Sequence, residues 1–343
     1  MAIYCVPMFT ALSRNAPDPA SSVTPTQRWQ RFLLQMIRAM TNRIQAVPRP
    51  KAIRWSVALG DLACVADRRH REIAHKNLRF IYGDRLTETA RRDLVRDVFR
   101  HFAFVGVEFL RGPLIRSRTD MDELIVSVGG WDDHVAPYIR QGRGVVIATG
   151  HFGNWEFLGR YIVAQGLPLT VVARSPEYPA FAAWAKQMRE SAGFSVAAKG
   201  ESAKKLLSVL KRGDALGLLS DQNSGDLFLP FLGVPAGTPA GAATLAARTN
   251  SVLVPCWCWR DKEGGDKYRI AFEPEVPNYD GGDKNADVAR SMAEINERLG
   301  TMVDAHPAQW LWLHDRWKSV FDEHNRQRLP EGLNYAELRE RYV

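Results

Sequence analysis

The chain lacks the features expected of a secreted, membrane-spanning or metal-dependent protein. Its four cysteines, Cys5, Cys64, Cys256 and Cys258, have no disulfide-framework spacing. Cys256 and Cys258 flank Trp257 in a strand-like run where both thiols point to one face, so a reduced compartment is expected rather than a metal site. No run approaches the ~20 apolar residues that a spanning helix needs. The opening "MAIYCVPMFTALSRNAPDPASS" has no charged region followed by a long apolar one, so no secretory signal is expected. There is no G-x-S-x-G elbow and no HExxH, and His70, His75 and His101 lack the spacing and acid partners of a ligand set. Those hydrolase and metalloenzyme classes are therefore disfavoured, and neither metal nor cofactor is expected.

Acid is missing from one whole stretch. Between Pro19 and Gly60 there is none, against seven positive charges at Arg28, Arg31, Arg38, Arg43, Arg49, Lys51 and Arg54. The 343-residue chain carries a net charge of +8, which favours acidic partners: anionic lipid, an acidic carrier protein or nucleic acid. In the acid-free stretch Trp29, Phe32, Leu33, Met36, Ile37, Met40 and Ile44 recur at helical spacing, one apolar face flanked by arginine. A helix in a lipid interface has this composition; so does a helix docked on its own core with arginines in water. No zinc knuckle, RNP-like aromatic strand or recognition helix accompanies the charge, so no nucleic-acid partner is expected.

Helical patterns also cover 67–82 and the stretch after Thr87, a good N-cap. Then the period changes. "ELIVSV" (123–128), "GVVIATG" (144–150), "PLTVVAR" (168–174), "FSVAA" (194–198), "ALGLLSD" (215–221), "SVLVPCWCWR" (251–260) and "YRIAFEP" (268–274) read as strands, most of them separated by helical patterns. This alternation predicts an α/β fold: a central mixed, largely parallel sheet flanked by helices, with an N-terminal helical layer. The expected organisation is a disordered leader at 1–25, an amphipathic and helical region at 26–118, an α/β domain at 119–320 and a C-terminal tail at 321–343.

"VVIATGHFGNWEFLG" (145–159) places His151 just past a strand, where open α/β sheets hold ligands. On one continuous helix, His151 and Glu156 would point roughly 140° apart. Gly150 and Gly153 permit a turn, and Asn154 is a good N-cap for a helix from Trp155. His151 can then fold back so that Glu156 accepts from one imidazole nitrogen, the arrangement of a general base and its orienting acid. A strand-end histidine beside a glutamate favoured by the helix dipole fits the same spacing.

"HFGNWE" resembles the histidine–four residues–acid motif of the lysophospholipid-type acyltransferases. Four further blocks resemble the lipid A late acyltransferase branch: "REIAHKNLRFIYG", "VVARSPEYPAF", "LLSDQNSGDLFLPFLGVPAGTPAGAATLAARTNSVLVP" and "HPAQWLWLHDRWK". Together they cover about residues 28–320. The resemblance implies transfer of a fatty acyl chain from acyl carrier protein, or its coenzyme A thioester, to a hydroxyl of a lipid acceptor. Its place is an anionic membrane surface, the cytoplasmic face of the inner membrane. It implies His151 as base and Glu156 as its partner, with Arg174 near the site and Asp221 and Gln222 in its wall. N–H groups at the helix start near Asn154, with Arg174, are the expected oxyanion donors. The small-residue helix near Gly241, Ala242 and Ala243 admits either an acyl chain or close helix packing. "QWLWLHDRWK" fits either a headgroup-facing rim or a core strand with a charged end. Branch members often begin with a longer hydrophobic segment than this chain has, which leaves the acceptor open among lipid A, a lysophospholipid, a glycolipid and an aminolipid.

Overall fold

The computed structural model describes residues 25–173, 179–198, 200, 203–261, 263, 266–277 and 282–342. The expected leader at 1–25 therefore lies almost wholly outside the described residues, and Arg174 lies outside them too.

Four helices open the described chain: α1 (Pro25–Ala46), α2 (Arg49–Ala66), α3 (Arg68–Tyr82) and α4 (Glu88–Arg111). Asp67 caps α3 by accepting from His70 N–H, and Thr87 caps α4 by accepting from Ala90 N–H at 3.2 Å, as its position in the sequence predicts. Ala52, Ser56 and Gly60 recur every four residues, and all three are buried on α2. They let its backbone press onto α4: a Cβ at Gly60 would stand 2.4 Å from Arg100 Cα. With its small face turned inward, α2 presents Leu62 and Val65 to solvent at 65% and 75% exposure. The apolar face of α1 divides similarly. Ile37 and Ile44 pack with Phe109, Leu110 and Trp184, while Trp29, Phe32 and Met36 stand exposed at 64%, 51% and 54%.

The α/β part begins with α5 (Arg118–Asp122), β1 (Ile125–Gly129), α6 (Trp131–His134), α7 (Ala136–Arg140) and β2 (Val145–Thr149). It continues through α8 (Trp155–Ala164), β3 (Leu169–Ala173), α9 (Pro179–Glu190), β4 (Ser195–Ala198), α10 (Ala203–Lys211) and β5 (Ala215–Leu219). Next come β6 (Leu227–Phe231), β7 (Val234–Thr238), α11 (Gly241–Thr249), β8 (Val252–Asp261), β9 (Lys267–Phe272), α12 (Lys284–Ala305) and α13 (Tyr335–Tyr342). Seven strands form one sheet in the order β1-β9-β8-β2-β5-β3-β4. Only β8 and β9 pair antiparallel in it. The expected largely parallel sheet, flanking helices and N-terminal helical layer are all present.

Several local expectations need correction. β6 and β7 form a separate antiparallel hairpin, with Leu232 at φ +50° in its turn, where the sequence pattern gave no strand. The small-residue helix α11 packs Ala242, Ala243 and Ala246 with Val146 and Leu253 of the sheet. Its small residues serve close helix–sheet contact. "QWLWLHDRWK" is neither a rim nor a strand. Trp310, Trp312, Trp317 and Arg316 are fully buried, and the segment is irregular, with short 3₁₀ turns at Pro307–Gln309 and Lys318–Phe321. Burial of Leu338 and Tyr342 fixes α13 to the same aromatic core.

Candidate active site

β2 and β5 are neighbours in the sheet and run parallel, with Thr149 opposite Leu219. Both strands then lose their partners' regular pairing at the same end, and Ser220 N–H still donates to Thr149 O at 2.9 Å. Two residues beyond the pairing, the same register sets His151 beside Asp221. His151 Nδ1 lies 2.8 Å from Asp221 Oδ1, and the His151 backbone N–H donates to Oδ2 at 2.7 Å. Trp310 Nε1–H donates to Oδ2 as well, at 2.9 Å. A carboxylate only accepts, so the neutral imidazole carries its proton on Nδ1 and its lone pair on Nε2.

Asp221 is 2% exposed and His151 5%. Burial by itself would raise the Asp221 carboxyl; the His151 ring and N–H, with Arg316 behind them, outweigh it and hold the group at about 2. Arg316 is buried with its guanidinium on Gly237 O and, at 3.2 Å, Thr238 Oγ1, and burial pushes it down to about 10.

Glu156 lines the same pocket as His151 but is turned to a different partner. Its carboxylate takes the Arg189 guanidinium of α9, with Nη2 at 2.5 Å and Nε at 3.0 and 3.1 Å. Among the described residues no hydrogen bond joins Glu156 to His151. The expected His151–Glu156 bond is thus replaced by His151–Asp221, and the physical reason is register. Asp221, two residues past β5, reaches both the His151 ring and its backbone N–H, and the Trp155 ring stands against the imidazole, 5.1 Å between centroids.

The turn between β2 and α8 is locked. Gly153 has φ +58°, and a Cβ there would stand 1.9 Å from Cys258 O, so only glycine fits. Its N–H donates to Gln309 O at 2.8 Å and its carbonyl faces His101 Nε2 at 3.1 Å. Asn154 N–H donates to Cys258 O at 2.7 Å. The Asn154 side chain caps α8 through Phe157 N–H and donates to Tyr268 Oη at 2.8 Å. Asn154 therefore positions the turn, and the N–H groups of Gly153 and Asn154 are not available as oxyanion donors.

His151, Gln222, Asn223 and His314 stand at one end of a pocket of about 600 Å³. Ile147, Leu158, Ile162, Leu169, Val171 and Phe194 give it apolar walls, and the Glu156–Arg189 ion pair lines it as well. The apolar residues come from β2, α8, β3 and, for Phe194, the position just before β4, and the pocket follows the sheet's carboxyl edge into the layer between sheet and α8. Gly159 and Gly217 keep it open: a Cβ at Gly159 would meet Phe194 and Leu169 at 3.4–3.6 Å, and one at Gly217 would meet Val171 at 3.2 Å. Among the described residues no group of three or more His, Cys, Asp or Glu could hold a metal ion. The site can bind a long apolar chain and offers a buried, oriented imidazole at its polar end.

Asp221 could have been placed from the sequence, since "ATGH" and "LLSD" end two parallel-type strands with the polar residue at the same offset. What the sequence does not print is that β5, third along the chain after β2, inserts directly beside it.

The chain is similar to several known proteins. The Mycolicibacterium smegmatis protein named phosphatidylinositol mannoside acyltransferase is 28% identical over 203 residues, 57% of this chain and 64% of that protein, slightly under two thirds of its length. The Mycobacterium tuberculosis H37Rv protein of the same name is 29% identical over 65% of this chain and 69% of its own. The Escherichia coli K12 lipid A biosynthesis lauroyltransferase is 24% identical over 80% of this chain and 87% of its own. The model of the bacterial lipid A biosynthesis acyltransferases matches residues 20–319. The chain belongs to that family.

Proposed function

We propose that this protein moves a fatty acyl chain from a thioester, carried by acyl carrier protein, to a hydroxyl of a membrane lipid. The observation that supports it most is the His151–Asp221 pair at the polar end of a pocket whose inner walls are apolar. A pocket of this size and lining suits a chain with a reactive head.

The acceptor hydroxyl gives its proton to His151 Nε2 as its oxygen bonds to the thioester carbon, and the carbonyl π pair moves onto oxygen. Asp221 stabilises the imidazolium formed. When the tetrahedral species collapses, the C–S bond breaks and the departing sulfur takes that proton back from His151. No covalent enzyme intermediate is required. The acidic carrier suits a chain of charge +8.

Acceptors of the lipid A type are the reading that the E. coli relative favours; the mycobacterial relatives favour another glycolipid. We place the reaction at the cytoplasmic face of the inner membrane. No described helix is long and apolar enough to cross a membrane. The exposed Trp29, Phe32 and Met36 of α1 and Leu62 and Val65 of α2 fit immersion in an interface from one side. The test is mass spectrometry of lipids from a deletion strain complemented with the wild-type chain or His151→Ala. One acyl-deficient lipid should appear on deletion and be repaired only by wild type; an unchanged lipid profile refutes the reading.

A further inference from the structure

The locked turn commits the N–H groups of Gly153 and Asn154 to other acceptors, which removes two of the oxyanion donors expected of the β2–α8 connection. We infer that His314 fills that role, donating from Nδ1–H to the thioester carbonyl oxygen as negative charge develops there. The inference rests on the acyl-transfer reading and adds a group that it does not contain.

His314 lines the pocket together with His151, Gln222 and Asn223. Its Nε2 faces the backbone N–H of Asn223 at 2.9 Å. An amide N–H only donates, so Nε2 is the acceptor and the ring proton is on Nδ1. No described residue takes a hydrogen bond from that Nδ1–H. The backbone is clamped on the far side: Asn77 Nδ2 donates to Trp312 O and His314 O, each at 2.8 Å, and Arg316 N–H donates to His314 O at 2.8 Å. The ring is therefore held through its backbone and Nε2, so a donor on Nδ1 costs little reorganisation when charge appears.

Burial pushes the His314 imidazolium down to about 4, with the charges of His151 and Arg316 adding to the effect against Asp221 and Asp315. The ring stays neutral at working pH and cannot act as a second base in competition with His151, because Nε2 is occupied. A neutral donor gains most as the carbonyl oxygen becomes charged, which lowers the barrier more than it tightens the ground state. The hydrogen bond moves no proton: the sulfur's proton comes from His151.

The experiment follows thiol release from palmitoyl-coenzyme A with water as acceptor, for wild type, His151→Ala, His314→Phe and His314→Gln. Binding of S-hexadecyl-coenzyme A, the thioether without a carbonyl oxygen, is measured alongside. The role predicts that His314→Phe loses roughly 10²–10³-fold in kcat with KM and thioether affinity within about threefold. His314→Gln, whose amide can both accept from Asn223 and donate, should recover at least a tenth of the rate. If His151→Ala releases thiol as fast as wild type, the acyl-transfer reading falls and this role with it. If His151→Ala is inactive but His314→Phe keeps its kcat, the role alone is overturned. Loss of thioether binding in both His314 variants would also overturn it, assigning the residue to the pocket's shape.

Discussion

Asp221→Asn is the sharpest perturbation, because the structure dictates how the amide must sit. The carboxylate accepts from His151 Nδ1 through one oxygen and from His151 N–H and Trp310 Nε1–H through the other. An asparagine has one acceptor end. Turning that end to His151 Nδ1 would set the NH₂ against two donors. Turning it to the two donors sets the NH₂ against Nδ1 alone, and the second orientation wins. Nδ1 must then accept, so the ring proton moves to Nε2, the atom that should receive the hydroxyl proton. A base held in the wrong tautomer costs about 10⁴-fold in kcat, about 5.5 kcal/mol of barrier. The fold should survive, since shape and two of the three hydrogen bonds are kept; we expect a loss of ~1–3 kcal/mol in urea unfolding. Glu156→Gln, which weakens only the contact with Arg189, should retain at least about a tenth of wild-type transfer. Both variants are assayed with palmitoyl-acyl carrier protein and a lipid acceptor at neutral pH. An active Asp221→Asn beside an inactive, folded Glu156→Gln would refute the reasoning and restore the acid five residues after the histidine.

Three further outcomes follow from the geometry. Gly159→Leu places a side chain against Phe194 and Leu169 and should shift preference toward shorter acyl donors, with ~0.8 kcal/mol lost per methylene no longer buried; competition among donors of different chain length reads it. Trp29→Ser combined with Phe32→Ser should weaken binding to anionic vesicles by at least tenfold in co-sedimentation, since each exposed ring contributes about 1.5–3 kcal/mol when buried. His314 has a folded value of about 4 against an ordinary 6.5, so between those pH values the unfolded chain binds more protons and stability falls as pH drops. His314→Gln should flatten that window in urea melts taken across the pH range.

The architecture was legible because period-2 runs and period-3.6 runs alternate cleanly from residue 123 onward. The hairpin β6–β7 was not, since Pro230, Pro235 and Gly237 read as turn chemistry and its alternation is masked by Phe228, Leu229 and Phe231 lying in one apolar run. His151 was legible as a strand-end residue. Its partner was misread because a local spacing argument reaches only along the chain, whereas the carboxylate arrives across it, 70 residues on. The tryptophans of the 306–318 block carry too little periodicity to reveal that they are core, and the burial of Arg316 depends on Gly237 O and Thr238 Oγ1 of β7, which no local pattern announces.

The long reach of that hydrogen-bond set also fixes a schedule. Asp221 and the Trp310 that holds its second oxygen are 89 residues apart. At ~5–20 residues per second of synthesis, roughly 4–18 s separate them. In that interval a growing chain can already hold β2 beside β5, yet the carboxylate lacks its Trp310 donor, Gly153 N–H lacks its Gln309 acceptor and His314 has not been made. Completion of the site is thus deferred until the segment carrying Gln309, Trp310 and His314 has been made.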